Sequence, residues 1–140
     1  MDALREMIKK HEGLVLHGYK DHLGFLTIGY GRLIDKERGG GITKEEADYL
    51  LSNDIAKVKR ELARFDWFDD LDSVRQDVLV AMAFQLGVRG LLNFKKTIRH
   101  ITLGEYADAA HEMLDSTWAR QTPKRAMEMS TMMRTGKYPN

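Results

Sequence analysis

Apolar residues recur at helical spacing along most of this chain and change to a strand-like pattern in one early stretch. Leu4, Met7, Ile8 and His11 fall at helical spacing behind Asp2, and Gly13 stands where helices commonly stop, which predicts a first helix ending at Glu12. From Leu14 to Ile34 the pattern becomes Val15, Tyr19, Phe25, Thr27, Ile28 and Tyr30, interrupted by Gly18, Gly24, Gly29 and Gly31. Short strands joined by turns, forming a small antiparallel sheet, fit that pattern best. Gly39-Gly40-Gly41 then breaks the chain before Thr43-Lys44-Glu45-Glu46, whose spacing is that of a capping box. Ala47, Leu50, Leu51, Ile55, Val58 and Leu62 continue one apolar stripe behind it. A helix of ~20 residues rising ~1.5 Å each spans ~30 Å, enough to connect two lobes.

Asp72 or Ser73 is placed to cap a further helix carrying Val74, Val78, Leu79, Met82 and Leu86, with Gly87 as its stop. Gly90 and Gly104 bracket Leu91, Phe94, Ile98 and Ile101; Tyr106, Ala109, Ala110, Met113 and Leu114 form the next stripe. Thr122-Pro123 opens a last helix that closes near Gly136. The expected fold class is therefore α+β and mostly helical. The eight methionines fall mainly on these apolar stripes, where they read as adaptable core filler.

Composition narrows the function classes. A chain of 140 residues with 43% hydrophobic content suits one domain with its own core. Without cysteine it has neither disulfides nor a thiolate metal site. A net charge of +1 argues against a protein built to neutralise nucleic-acid phosphates, although Arg89, Lys95, Lys96 and Arg99 form a local basic run. The amino terminus lacks the uninterrupted apolar stretch of an export signal, and no run approaches the ~20 residues of a membrane span. Gly29-Tyr30-Gly31 has no third glycine at Ile34 and precedes strand-like sequence, which argues against dinucleotide binding. The five histidines show no familiar ligand spacing, so neither a metal nor a cofactor is expected.

The candidate chemistry lies in the early stretch. Glu12 and Asp21 are nine residues apart and Thr27 follows six later, all set around tight turns. Two carboxylates and a hydroxyl are what cleavage of a glycosidic bond by an acid and an activated water requires. Taken singly, each residue also has a plainer reading: Glu12 as an exposed helix-end carboxylate, Asp21 as a turn residue, Thr27 as an ordinary strand residue.

The landmarks His11-Glu12-Gly13, Tyr19-Lys20-Asp21, Thr27-Ile28-Gly29-Tyr30-Gly31, Ile42-Thr43-Lys44-Glu45-Glu46-Ala47, Phe84-Gln85-Leu86-Gly87, Trp118, Gln121-Thr122-Pro123-Lys124-Arg125-Ala126 and Arg134-Thr135-Gly136 occur in that order. With them the chain resembles the T-even-type phage lysozymes, endolysins of glycoside hydrolase family 24. The resemblance implies a lysozyme-like fold: a sheet-containing lobe over about 12–42, a linking helix over about 43–64, and a helical lobe over about 65–140 packed with the N-terminal helix. It also implies a muramidase that cuts the β-1,4 bond between N-acetylmuramic acid and N-acetylglucosamine, with Glu12 as general acid, Asp21 as the opposing carboxylate and Thr27 as the hydroxyl that holds water. Leu33, Phe84, Gln85, Thr97 and Gly31 match substrate-binding positions, and Arg125 a supporting one. Glu112 stands where the family carries asparagine at a sugar contact. Arg32 is expected to pair with Asp54 on the long helix. The expected setting is a monomer made in the host cytoplasm, released to the cell wall in the periplasm through a separate holin-type pore, with peptidoglycan as substrate and no nucleic-acid partner or stable membrane insertion. A lytic transglycosylase and a non-catalytic wall-binding module are the alternatives.

Overall fold

The computed structural model describes residues 2–140. In chain order it contains α1 (Ala3–Glu12), β1 (Val15–Lys20), β2 (Leu26–Gly29), β3 (Arg32–Leu33), a 3-10 turn (Lys36–Arg38), α2 (Lys44–Leu62), α3 (Asp66–Asp69), α4 (Ser73–Leu92), α5 (Lys95–Thr102), α6 (Tyr106–Leu114), α7 (Thr117–Gln121) and α8 (Pro123–Thr135). Two compact units divide the chain, with the boundary between Leu50 and Leu51 inside α2.

The first unit is built on the antiparallel sheet β1-β2-β3. Tyr19 faces Thr27 across β1 and β2, and Thr27 in turn faces Leu33 across β2 and β3. Thr27 thus sits in the central strand, where its side chain is 4% exposed. The start of α2 is the capping box the sequence predicts: Glu46 N–H donates to Thr43 Oγ1 at 3.1 Å and Thr43 N–H to Glu46 Oε1 at 2.8 Å. The Thr43 N–H, together with the Arg32 guanidinium, holds the Glu46 carboxyl below its usual value. The expected Arg32–Asp54 pair is replaced by Arg32 Nη2 to Glu46 Oε1 at 2.6 Å, with Arg32 Nε donating to the Gly41 carbonyl at 3.1 Å. The Gly41 bond aims the guanidinium at the first turn of α2, and Asp54 lies two turns further along that helix, about 12 Å by helical rise.

The second unit holds the apolar core, in which Leu62, Leu79, Met82, Leu91, Met113 and Met133 are essentially inaccessible. Asp72 caps α4 by accepting from Arg75 N–H. Helical geometry fails at Gly87 (φ 78°, ψ 157°) as predicted, but resumes at once to Leu92. Gly90 is consequently a residue within the helix rather than a bracket. A Cβ there would lie 2.9 Å from Leu86 Cβ, so a close approach across the kink requires glycine. Five of the methionines, Met82, Met113, Met129, Met132 and Met133, are buried in the core as filler. No single helix among the described residues is long and apolar enough to cross a membrane.

Candidate active site

The first unit brings Glu12, Asp21, Thr27, Gly31 and Leu33 onto one small framework. Glu12 is the last residue of α1 and is solvent-exposed. Lys9, one turn earlier, holds its ammonium 5.4 Å from the centre of the Tyr30 ring, which ties the end of α1 to the turn joining β2 and β3. The Glu12 carboxylate lies directly over Gly31: a Cβ built on Gly31 would stand 2.9 Å from Glu12 Cδ and would overlap Oε2. Gly31 also has φ +70°, so a side chain there would both strain the backbone and displace the Glu12 carboxylate.

Asp21 opens the turn between β1 and β2. Its N–H donates to the Phe25 carbonyl and its carbonyl accepts from Gly24 N–H, both at 2.9 Å. Its Oδ1 accepts from Leu23 N–H and Phe25 N–H, again both at 2.9 Å, in the manner of an Asx-turn. The Phe25 N–H is the largest influence and, against some desolvation, the Leu23 N–H, the His22 charge and the Gly24 N–H add to it, so the carboxyl is held below its usual value. Thr27 Oγ1 donates to the Phe25 carbonyl at 2.9 Å. Its proton is therefore committed, and what the oxygen offers a ligand is an acceptor. Phe25 thus serves both neighbours, its N–H fixing Asp21 and its carbonyl fixing Thr27.

The remaining candidates lie in the second unit. Phe84, Gln85 and Arg125 line a cavity of about 790 Å³ together with Lys59, Asp77 and Tyr138. Phe84 is 50% exposed, which rules out a role as core aromatic. Gln85 Oε1 accepts from Trp118 Nε1 at 2.9 Å, leaving the amide nitrogen as a donor. Thr97 is only 1% exposed and borders a different cavity, of about 710 Å³, with Glu112, Asp115 and Trp118. Sequence reasoning passed over Asp77 and Tyr138, whose hydroxyl donates to Asp77 Oδ2 across 61 positions, a separation without local signal. That bond, with burial and the Asp77 charge adding, raises the Tyr138 pKa.

The sequence profile described as phage lysozyme matches residues 9–134, which takes in every residue of both groups except Tyr138. This chain belongs to the phage lysozyme family. Similar proteins include Probable T4-type lysozyme 1 of Dictyostelium discoideum, 30% identical over 97% of this chain and 96% of that protein. The Pre-baseplate central spike protein Gp5 of Enterobacteria phage T4 is also 30% identical, over 96% of this chain but 28% of the spike protein. An endolysin from Acyrthosiphon pisum secondary endosymbiont phage 1 is 29% identical over 85% of this chain and 80% of that endolysin. The activity is accordingly that of a lysozyme, hydrolysis of the bacterial cell wall.

For a phage lysozyme, contact between Gly31 and the Glu12 carboxylate makes a sharp prediction. If the Glu12 carboxylate takes part in catalysis, Gly31→Ala, which forces it aside, should lower wall clearing by about 10²-fold, the scale of a ~1 Å misplacement. Gly29→Ala is the control, because Gly29 has nearly the same φ of +69° with nothing among the described residues within 4 Å of a new Cβ. Both variants lose about 1–2 kcal/mol of stability to backbone strain, measured by denaturant unfolding, but only Gly31→Ala should suffer the larger loss of clearing.

Proposed function

We propose that this chain hydrolyses the β-1,4 bond between N-acetylmuramic acid and N-acetylglucosamine in peptidoglycan by an inverting route, in the service of host cell lysis. Glu12 protonates the leaving oxygen. Asp21 accepts a proton from the attacking water, and Thr27 Oγ1 accepts that water's second hydrogen bond, leaving the water's lone pair directed at the anomeric carbon. The observation that carries this reading is the division of labour at Phe25: Oδ1 of Asp21 is saturated by backbone N–H groups and Thr27 has already spent its proton. A base held ionised beside an acceptor-only hydroxyl is a site for a water, not for a second acid. Gly31 and Leu33 are proposed sugar contacts in the first unit. Phe84 and Gln85 are proposed substrate contacts in the second unit, with Arg125 supplying positive charge, while the burial of Thr97 limits it to shaping its cavity.

Muropeptide analysis of digested sacculi tests the proposal. Hydrolysis leaves new reducing ends, and inversion makes the fresh anomer α, as read by proton NMR within the first turnovers. A lytic transglycosylase would give 1,6-anhydro products lighter by one water, a retaining enzyme would give the β-anomer, and a wall-binding module would give neither product. The enzyme is proposed to act as a monomer that reaches the wall from the cytoplasm through a separate pore. Expression without such a pore should leave cells intact, and rapid lysis would refute that route.

The lowered Asp21 pKa has a pH consequence. A depressed carboxyl favours the folded, ionised form above the unfolded value of ~3.9, and that contribution is lost as pH falls through the lower folded value. Carboxyl NMR should therefore find Asp21 titrating below ~3.9, with base function persisting to that lower pH. A value at or above ~3.9 would contradict the assigned hydrogen bonds.

A further inference from the structure

The corner between α5 and α6 gathers three side chains that the lysozyme reaction does not use. His100 lies in the last turn of α5, Glu105 immediately precedes α6, and Asp108 lies in its first turn. The backbone bond from Glu105 N–H to the His100 carbonyl at 2.8 Å closes the corner. One ligand atom from each of the three residues lies within 4.8 Å of the other two. We propose that His100, Glu105 and Asp108 form a binding site for a divalent transition metal, zinc being the ion that the donor set fits best.

Donor separation supports the assignment. Two ligands on one tetrahedral zinc, each at ~2.0–2.1 Å, stand ~3.3 Å apart. His100 Nδ1 and Glu105 Oε1 are 2.9 Å apart, so this pair already has nearly the separation that a shared ion imposes. Only Asp108 has to close in, and its side chain is exposed and takes part in no hydrogen bond or ion pair among the described residues. Charge supports it as well. Two carboxylates are held close together with no Lys or Arg nitrogen within 4.0 Å of either among the described residues. A dication bound between them relieves their repulsion. One imidazole nitrogen with two carboxylate oxygens suits zinc, whereas magnesium and calcium prefer oxygen alone. Water fills the fourth position. No motif marks the site, because His100, Glu105 and Asp108 fall at spacings of five and three across a turn, where no single helix face unites them.

Isothermal titration of zinc chloride into the untagged full chain, in a buffer without phosphate, tests the site. The expected result is one zinc per chain, with the unfolding temperature rising as zinc is added because the ion binds only the folded corner. His100→Gln and Asp108→Asn should each weaken binding by about tenfold or more. His111→Gln, three residues beyond Asp108, should leave it unchanged. Asp108→Asn changes an exposed group with no partner among the described residues, so it tests the site even if His100→Gln disturbs the corner. Absence of zinc binding, zinc binding that survives both substitutions, loss with His111→Gln instead, or magnesium binding as tight as zinc would each overturn the proposal. Wall clearing by metal-free Asp108→Asn should equal that of the unaltered chain, which keeps this outcome separate from that of the muramidase reading.

Discussion

Glu12→Gln should lower turbidity clearing of purified cell walls by about 10²–10⁴-fold, the range that positioned proton transfer contributes. The amide is nearly isosteric and can still receive hydrogen bonds, but it has no proton of suitable acidity to give the leaving oxygen. The fold should not suffer. Glu12 is exposed, makes no ion pair among the described residues, and ends α1, where the helix dipole disfavours a negative charge. Thermal unfolding is therefore expected to stay level or to rise by up to ~1 kcal/mol. Lost clearing with preserved stability is the signature of a catalytic acid, since a structural carboxylate would show the opposite pattern. Clearing at the unaltered rate would remove Glu12 from the mechanism.

Arg75→Ala should produce the largest loss of stability on the molecule outside the apolar core. The side chain is 14% exposed and every part of it is used. Nε donates to the Met133 carbonyl at 2.6 Å and Nη2 to the Arg134 carbonyl at 3.1 Å, satisfying the end of α8 where backbone carbonyls lack helical partners. Nη1 pairs with Asp72 at 2.9 Å, and the guanidinium lies 3.8 Å from the Tyr106 ring centre. Burial alone would push the Asp72 carboxyl up, but the Arg75 side chain and N–H reverse this and hold it low. Truncation leaves two carbonyls without donors, exposes a ring face and removes an ion pair. About 2–4 kcal/mol should be lost, seen as a fall of roughly 7–14 °C in the unfolding temperature of the whole chain. Arg75→Lys restores the Asp72 pair but not the fork that serves two carbonyls, so it should recover less than half of the loss. A change below ~0.5 kcal/mol would show that solvent replaces these bonds freely.

Local features were the most legible in the sequence. The Thr43–Glu46 box, the Asp72 cap and the ends of α1 and α8 all depend on contacts within one helical turn, and the spacing of a few residues specifies them. Arg32 shows where such reasoning stops. An exposed guanidinium pairs with whichever carboxylate the backbone brings near, and Glu46 serves both the cap and Arg32 through the same oxygen. Gly90 was misread for a related reason: a glycine demanded by a close approach looks the same in sequence as one that ends a helix. Phe84 and Thr97 reversed the usual expectation, with the large aromatic half-exposed and the small polar residue buried.

By itself, the sequence determined the α+β element order, the sheet, the start of the long helix and the presence of two carboxylates and a hydroxyl in one short stretch. These follow from periodicity, turn residues and caps, all of which act over a few positions of the chain. Tertiary structure alone decided that the Glu12 carboxylate rests on Gly31, that Phe25 serves both Asp21 and Thr27, that Arg75 closes α8, and that ligand atoms of His100 and Asp108 come within 4.8 Å of each other. Such contacts join residues through turns and across elements, where a difference of a few ångströms in backbone path selects the partner and sequence distance carries no information about it.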